Sequence, residues 1–440
     1  MTHTVVVVDK TGRGHSICAA LVANSRTVKV HYLPGTGGVL GERIACAPRI
    51  DDFRSVIAAC EDLRPDLVFV SHIEALDDGI ADELRQRGFR VFGASRKAAR
   101  LESSKWFCKE VCRENGVPTP RARLFEDRAS LGAFLSDPSN LPKMVKVDWL
   151  TRNGNGAIPV PAGTRPQDVL AQIDAVIAQN PGAPFKVVAE DYLPGVDYSA
   201  HYFVQGRSIV ELPSAQDFKK SHDADGGANC DGMGSLSPHM MDSPALNQTI
   251  ANSILKPVLK GLRARGISYS GPIYLGLRID ADGRPHLLEI NTRLGDSESQ
   301  TIFPRVDEDL FALLMRMTSG ERVERRLKVK PRSCVTITLS AGAKSALKDQ
   351  AELDRDTDWP FRDIGSGEIV RFFPALLAEK AMVFWAGVEQ SADNSLRTRA
   401  GRVAHISALG GSIREARDRV YASIQSVCFQ GKRWRTDIGA

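Results

Sequence analysis

Residues 287–300 read LLEINTRLGDSESQ, an apolar run that gives way to Glu289, Asn291, Arg293, Asp296 and Glu298. Side chains alternate across a strand, so Glu289 and Asn291, two apart, project from one face. A carboxylate and an amide oxygen so placed suit Mg²⁺ (or Mn²⁺). Such a cation takes one or two hard oxygens from protein and fills its shell with water and phosphate oxygens. The competing reading is a solvated sheet edge. The rest of the chain must decide whether groups exist to hold the phosphates.

Residues 142–160, PKMVKVDWLTRNGNGAIPV, predict two strands joined by a loop with Gly154 and Gly156, and Lys146 stands alone on the first strand. Lys105 opens a helical stretch that stops at Gly116 and Pro118. Two ammonium groups and the N–H donors of a glycine loop make a phosphate grip. Singly, lysines are more often surface residues and Gly-x-Gly loops more often plain turns. If residues 289 and 291 hold a cation, these groups would be the grip on its phosphates, and the pattern alone leaves both readings open.

Toward the N-terminus, TVVVVD (4–9), TVKVHYL (27–33), DLVFVS (66–71) and FRVFGAS (89–95) are apolar runs separated by helical stretches. Continuous rather than alternating apolar runs predict a parallel sheet covered on both faces, a doubly wound α/β domain. The first turn, DKTGRGHS, carries Gly12 and Gly14 but lacks the third glycine of a dinucleotide fingerprint, so a nicotinamide cofactor is poorly supported. His15 reads either as a ligand contact or as a structural part of that turn. Residues 213–234 are polar and glycine-studded, an expected long functional loop. Near the C-terminus Ser412 and Glu415 have capping-box spacing ahead of apolar residues at 413, 416, 420, 424 and 427.

With 440 residues the chain is long enough for several domains, and 42% hydrophobic and 25% charged residues are ordinary for a globular protein. A net charge of +5 without a basic block suits anionic small molecules and argues against nucleic acid. No run approaches the ~18 apolar residues of a membrane span, so no membrane role and a cytoplasmic location are expected. Eight cysteines in no zinc spacing read as reduced core residues, with Cys108 and Cys112 on one helix face.

Several segments resemble one family over nearly the full chain. They are GRGH at the first turn, FGASRKAARLESSKWFCKE, VKVDWL, EDYLPGVDYS, PSAQDFKK, DGMGSLSP, LEINTRLGDSESQ and the terminal RWRTDIG. They are similar to the ATP-grasp superfamily, and within it to the phosphoribosylamine-glycine ligase family. The resemblance implies an α/β and α+β multidomain chain: a doubly wound domain over 1–100, an ATP-grasp domain over 101–325 with a lid at about 125–195, and a C-terminal α/β domain over 326–440. It implies ATP and Mg²⁺ as cofactors. Lys105, Lys146, Gly154 and Gly156 would meet the phosphates; Glu190, Asp191 and Leu193 belong to the adenine hinge; Asp197 would take the ribose; Glu289 and Asn291 would hold the metal. Arg293, Lys146 and Asp296 are the implied catalytic residues. Gln216, Asp217, Phe218, Lys219, Asn229, Arg293 and Asp296 are the implied substrate contacts. The chemistry implied is amide formation between a carboxylate and an amine through an acyl phosphate, by a monomer or weak homodimer.

Departures from the family collect at the substrate end. Its GGREHA is here TGRGHS, its GPExPL is SHIEAL, its DHKR is DFKK, its GPNTGGMG is GANCDGMG, and its AGGYP is AGAKS. Asn155 replaces the lysine of the glycine loop; where superfamily members with two metal carboxylates carry the first, this chain has Gly276, as the phosphoribosylamine-glycine ligase branch does, which leaves Glu289 as the one acidic ligand implied. These changes favour a paralogue with an altered amine partner over the purine-pathway enzyme, and leave a silent nucleotide-binding regulator as the remaining reading.

Overall fold

A computed structural model describes residues 2–39, 41–46, 52–151, 156–227, 230, 232–341, 367–399 and 401–440. The N-terminal strands form a wholly parallel sheet in the order Ile44–Cys46, Val28–Pro34, His3–Asp9, Leu67–Val70, Val91–Phe92. Val5, Val6, Val7 and Val8 are all fully buried, as continuous apolar strands between two helical layers must be. Strand order reverses at His3–Asp9, which opens a crevice beyond the carboxyl ends of that strand and of Leu67–Val70.

Packing leaves no room for a side chain at either glycine of the first turn. A Cβ at Gly12 would come within 2.4 Å of the His405 ring and 2.8 Å of Gln300 Nε2, and one at Gly14 within 2.5 Å of Tyr32. His15 is structural: its Nδ1 accepts from the Trp385 N–H at 2.9 Å, its ring meets Phe384 edge-on, and burial lowers its pKa to about 4.

The central sheet runs Pro285–Asn291, Ser270–Ile279, Val196–Gln205, Ser208–Glu211, Glu324–Arg326. A register shift between Gly276 and Leu277 brings Glu289 opposite Gly276. A smaller sheet, Ala122–Phe125, Val187–Asp191, Lys143–Val147, Ala157–Val160, contains the predicted hairpin. Helices Arg128–Ser136 and Pro166–Ala178 cover it around a separate core that includes Phe125, Leu131, Val145, Ile173 and Val187. A unit with its own core can move as one body.

The third large sheet joins distant segments: Gln216–Asp217, Gly234–Ser237, Ser333–Ala341, Arg402–Gly410 and Ala381–Trp385, with Lys432–Arg433 on Ser333–Ala341. The long polar segment over 213–234 is closed at its base by an antiparallel pair, Gln216 with Leu236 and Asp217 with Ser235. Its strand Gly234–Ser237 is GSLS, without β-branched residues; pairing to Ser333–Ala341 makes it a strand. The last helix, Ile413–Ala422, starts as predicted, with Ser412 accepting from the Glu415 N–H at 3.2 Å. Glu415 reaches back to Gly411, and the helix ends before Ile424 and Val427. Among the described residues no helix is long and apolar enough to cross a membrane.

Candidate active site

Lys105, Cys108, Lys146, Glu190 and Glu289 line one cleft between the small sheet and the central one. Lys105 is the first residue of helix Lys105–Glu114, whose N-cap Ser104 accepts from the Phe107 N–H at 3.1 Å. The buried Asp148 accepts from Ser104 Oγ at 3.0 Å and from the Trp106 N–H at 2.7 Å, fixing that helix start to the hairpin. Lys105 Nζ then donates to Glu102 O at 2.8 Å. Lys146 pairs with Glu190 and donates to Leu288 O at 3.3 Å, while Lys109 Nζ lies 2.6 Å from the other Glu190 oxygen. Burial opposes a charge on Glu190, but Lys146 and Lys109 outweigh it and hold the carboxyl below its usual range.

Glu289 sits at the centre of the positive charge. Its burial would raise the pKa; Lys219, Lys146, Lys105 and Arg293 together lower it to about 2. Lys219 Nζ stands 3.7 Å from Glu289 Oε1. Arg293 is aimed by a carboxylate from the preceding helix: Nε donates to Glu102 Oε1 at 3.1 Å and Nη2 to Asn291 Oδ1 at 3.2 Å. Glu102, only 3% exposed, also accepts from the Thr292 N–H at 2.7 Å. A Cβ at Gly276 would lie 2.8 Å from Glu289 Cγ, so no second carboxylate fits opposite Glu289 without displacing it. An ionised carboxylate and an amide oxygen two residues apart on Pro285–Asn291 are a donor set that fits Mg²⁺.

Further along the same turn the C-terminal sheet joins in. Asp296 Oδ1 accepts from Gln300 Nε2 at 2.6 Å, Asp296 Oδ2 lies 3.3 Å from Arg402 Nη2, and Arg402 Nη1 donates to Asp296 O at 3.1 Å. Burial would raise the Asp296 pKa, but Arg402 foremost keeps it below its ordinary value. Ser297 adopts φ +137°, a strained conformation for a residue with a side chain. Beside it Gly232, at φ +83°, leaves open a spot that a Cβ would share with Asp296 O at 2.7 Å, Asp217 Oδ1 at 3.0 Å and Ser297 Oγ at 3.1 Å. Asp217 Oδ1 and Ser297 Oγ are buried without a hydrogen-bond partner among the described residues. Burial, then the charge of Glu298, raises the Asp217 pKa well above the carboxylate range.

The sequence matches the phosphoribosylglycinamide synthetase N domain over residues 3–102, its ATP-grasp (A) domain over 103–299 and its C domain over 364–440. The chain belongs to the phosphoribosylglycinamide synthetase family. It is an ATP-grasp ligase of that family, which forms C–N bonds. A phosphoribosylamine-glycine ligase from Caulobacter vibrioides is 31% identical over 99% of this chain and 97% of its own. The crystal structure of phosphoribosylamine-glycine ligase from Thermotoga maritima is similar at a TM-score of 0.80 and 26% identity, covering 99% of each chain. The biotin carboxylase domain of Hydrogenobacter thermophilus 2-oxoglutarate carboxylase, solved with MgADP, shares the fold alone: TM-score 0.71, 12% identity, 99% of this chain and 92% of that one.

Within this synthetase-family chain the predicted residues distribute unevenly. Lys105, Lys146, Glu289, Asn291, Arg293 and Lys219 come together around the cleft. Glu190, expected in the adenine hinge, turns its carboxylate to Lys109 and Lys146. Asp191 pairs with Lys143, Leu193 is half-buried beyond the strand end, and Asp197 lies 3.1 Å from Arg278 Nη2. Gly156 lies at the hairpin stem, its carbonyl accepting from the Val147 N–H at 2.9 Å; Gly154, Asn155 and Asn229 lie outside the described residues. Gln216 lies in the short strand Gln216–Asp217. Phe218, half-buried, packs against the main core with the Arg435 guanidinium 5.3 Å from its ring centre.

Glu102, Asp148, Arg402 and His405 escaped the sequence reading, and Lys109 was given no role in it. Lys109 alone left a signal, one turn after Lys105 on the same helix face.

Proposed function

We propose that the chain joins the carboxylate of a small amino acid to an amine, with ATP converted to ADP and phosphate through an acyl phosphate. The observation that carries this reading is the convergence of Lys105, Lys146, Lys219 and Arg293 on Glu289 in one cleft. The substrate carboxylate attacks the γ-phosphorus, ADP leaves, and the amine nitrogen then displaces phosphate from the acyl carbon. Lys146 and Arg293 face the charge that spreads over the transferring group, so positioning and electrostatics supply the catalysis without a protein nucleophile. Mg²⁺ held by Glu289 and Asn291 would neutralise phosphate charge.

The amino group of the acid has a natural place beside Gly232, where Asp217 Oδ1, Ser297 Oγ and Asp296 O converge. An ammonium there supplies the missing donors and lets Asp217 ionise beside Glu298. The amine partner would enter from the crevice at the N-terminal sheet. There Arg13 is pinned to Asp9 at 2.8 Å and Lys10 to Glu74 at 2.6 Å. Cations already matched by carboxylates attract a phosphate dianion poorly. With SHIEAL and TGRGHS at this crevice, the favoured partner is an amine other than phosphoribosylamine, in a specialised cytoplasmic pathway.

The test is a screen of amino acids against amines, phosphoribosylamine with glycine included, read by ADP formation. ADP that appears only when an acid and a different amine are both present supports the proposal. Turnover confined to glycine with phosphoribosylamine makes the chain the purine-pathway enzyme. MgATP that raises the melting temperature with no ADP from any pair makes it a silent binder.

A further inference from the structure

We infer that Arg435, in the C-terminal tail, is a positioning residue that sets Lys219 in the active site. Its side chain is 2% exposed and heads the large fully buried side chains. Its Nε and Nη2 donate to the two oxygens of Asp437 at 2.8 and 2.7 Å, a bidentate fork that fixes the guanidinium plane. The remaining nitrogen, Nη1, reaches into the 216–227 segment, donating to Lys220 O at 3.1 Å and to Asp225 Oδ1 at 2.9 Å. The plane covers the Phe218 ring at 5.3 Å. Arg435 thus grips the residues on both sides of Lys219, whose ammonium group faces Glu289 at 3.7 Å.

The neighbouring tail residues complete the latch. The Thr436 N–H donates to Asp223 Oδ1 at 2.8 Å, and its hydroxyl donates to the other Asp223 oxygen. Asp437 accepts in turn from the Ala224 N–H at 2.8 Å. Ala224 and Asp225 both sit at φ +53°, the left-handed region that side-chain-bearing residues disfavour. Strain of this kind persists where surroundings over-determine it, and here the surroundings are the tail. Ile438, fully buried, and Tyr421, whose hydroxyl donates to Arg435 O at 3.0 Å, root the tail in the C-terminal domain. The domain most distant in sequence from the cleft so holds one of its cations in place.

The role of Lys219 in turnover rests on the ligase proposal; the latch does not. Full-length Arg435→Ala, Arg435→Lys and Asp225→Asn chains, compared with the parent, test it by amide hydrogen exchange, by MgADP calorimetry and by ADP formation with the acid and amine that the substrate screen finds active. In Arg435→Ala, exchange over 216–227 rises about tenfold or more while strand Val196–Gln205 stays within about twofold. MgADP affinity changes by less than about threefold, turnover falls through kcat rather than the MgATP KM, and Arg435→Lys recovers most of the protection. Asp225→Asn, altered on a carboxylate that is largely exposed, gives a smaller rise confined to the same segment and serves if Arg435→Ala does not fold. Unchanged protection of 216–227, or equal acceleration in Val196–Gln205 and His3–Asp9, overturns the inference. Exchange needs no turnover, so it decides the latch even if the parent forms no ADP.

Discussion

Replacing Glu289 by Gln removes one negative charge from among four positive ones without changing side-chain size. The fall of its pKa from 4.5 to about 2 measures how strongly the folded chain prefers the ionised form. That drop corresponds to about 3 kcal/mol, and solvent reaching a side chain that is 30% exposed reduces it to roughly 2. The folded value is the depressed one, so this stabilisation is present above pH ~4.5 and drains away as pH falls toward ~2. In urea unfolding at pH 7, Glu289→Gln should be about 2 kcal/mol less stable than the parent. At pH 3 more than half of that difference should be gone. The nucleotide arm separates metal from charge. In EDTA, ADP should stabilise the variant at least as much as the parent, because the lysines have lost their internal anion. With Mg²⁺ added, the parent should gain further stability and the variant should not. A variant that keeps the Mg²⁺ increment, or that matches the parent's stability at pH 7, would refute the assignment of Glu289.

Other perturbations probe the supports around that centre. Glu102→Ala leaves the Arg293 guanidinium and the Thr292 N–H without their buried acceptor, a change of about 3–5 kcal/mol in urea unfolding; a loss below about 1 kcal/mol would remove Glu102 from the account. Glu190→Gln strands two buried lysine ammonium groups and should destabilise by about 3 kcal/mol, with MgADP stabilising the variant more than the parent because phosphate replaces the missing carboxylate. Asp217→Asn should have the opposite sign. The raised pKa makes its ionised form a liability that grows as pH rises above about 3.9, so the variant should be more stable than the parent at pH 7 and equal to it near pH 4. The same variant should lose amino-acid-dependent ADP formation, and equal stability at both pH values would count against the buried, unpartnered placement of Asp217.

Local patterns in the chain determined a good deal. Four adjacent valines announced a sheet covered on both faces; the spacing of Lys146 and the glycine loop announced a hairpin; Glu289 and Asn291 had to share a face because strand side chains alternate. Each of these is written in periodicities of two to four residues. Tertiary structure alone decided what each charge pairs with. Glu102 meets Arg293 across 191 positions, Arg402 meets Asp296 across 106, and Arg435 meets Asp225 across 210. It also showed that the glycines of the first turn leave clearance for His405 and Tyr32, and that Phe218 packs against the core under Arg435. The physical reason is the expense of burying a charge or an unpaired polar group, which forces a partner to be found but leaves open where along the chain it lies. Only folding brings that partner near.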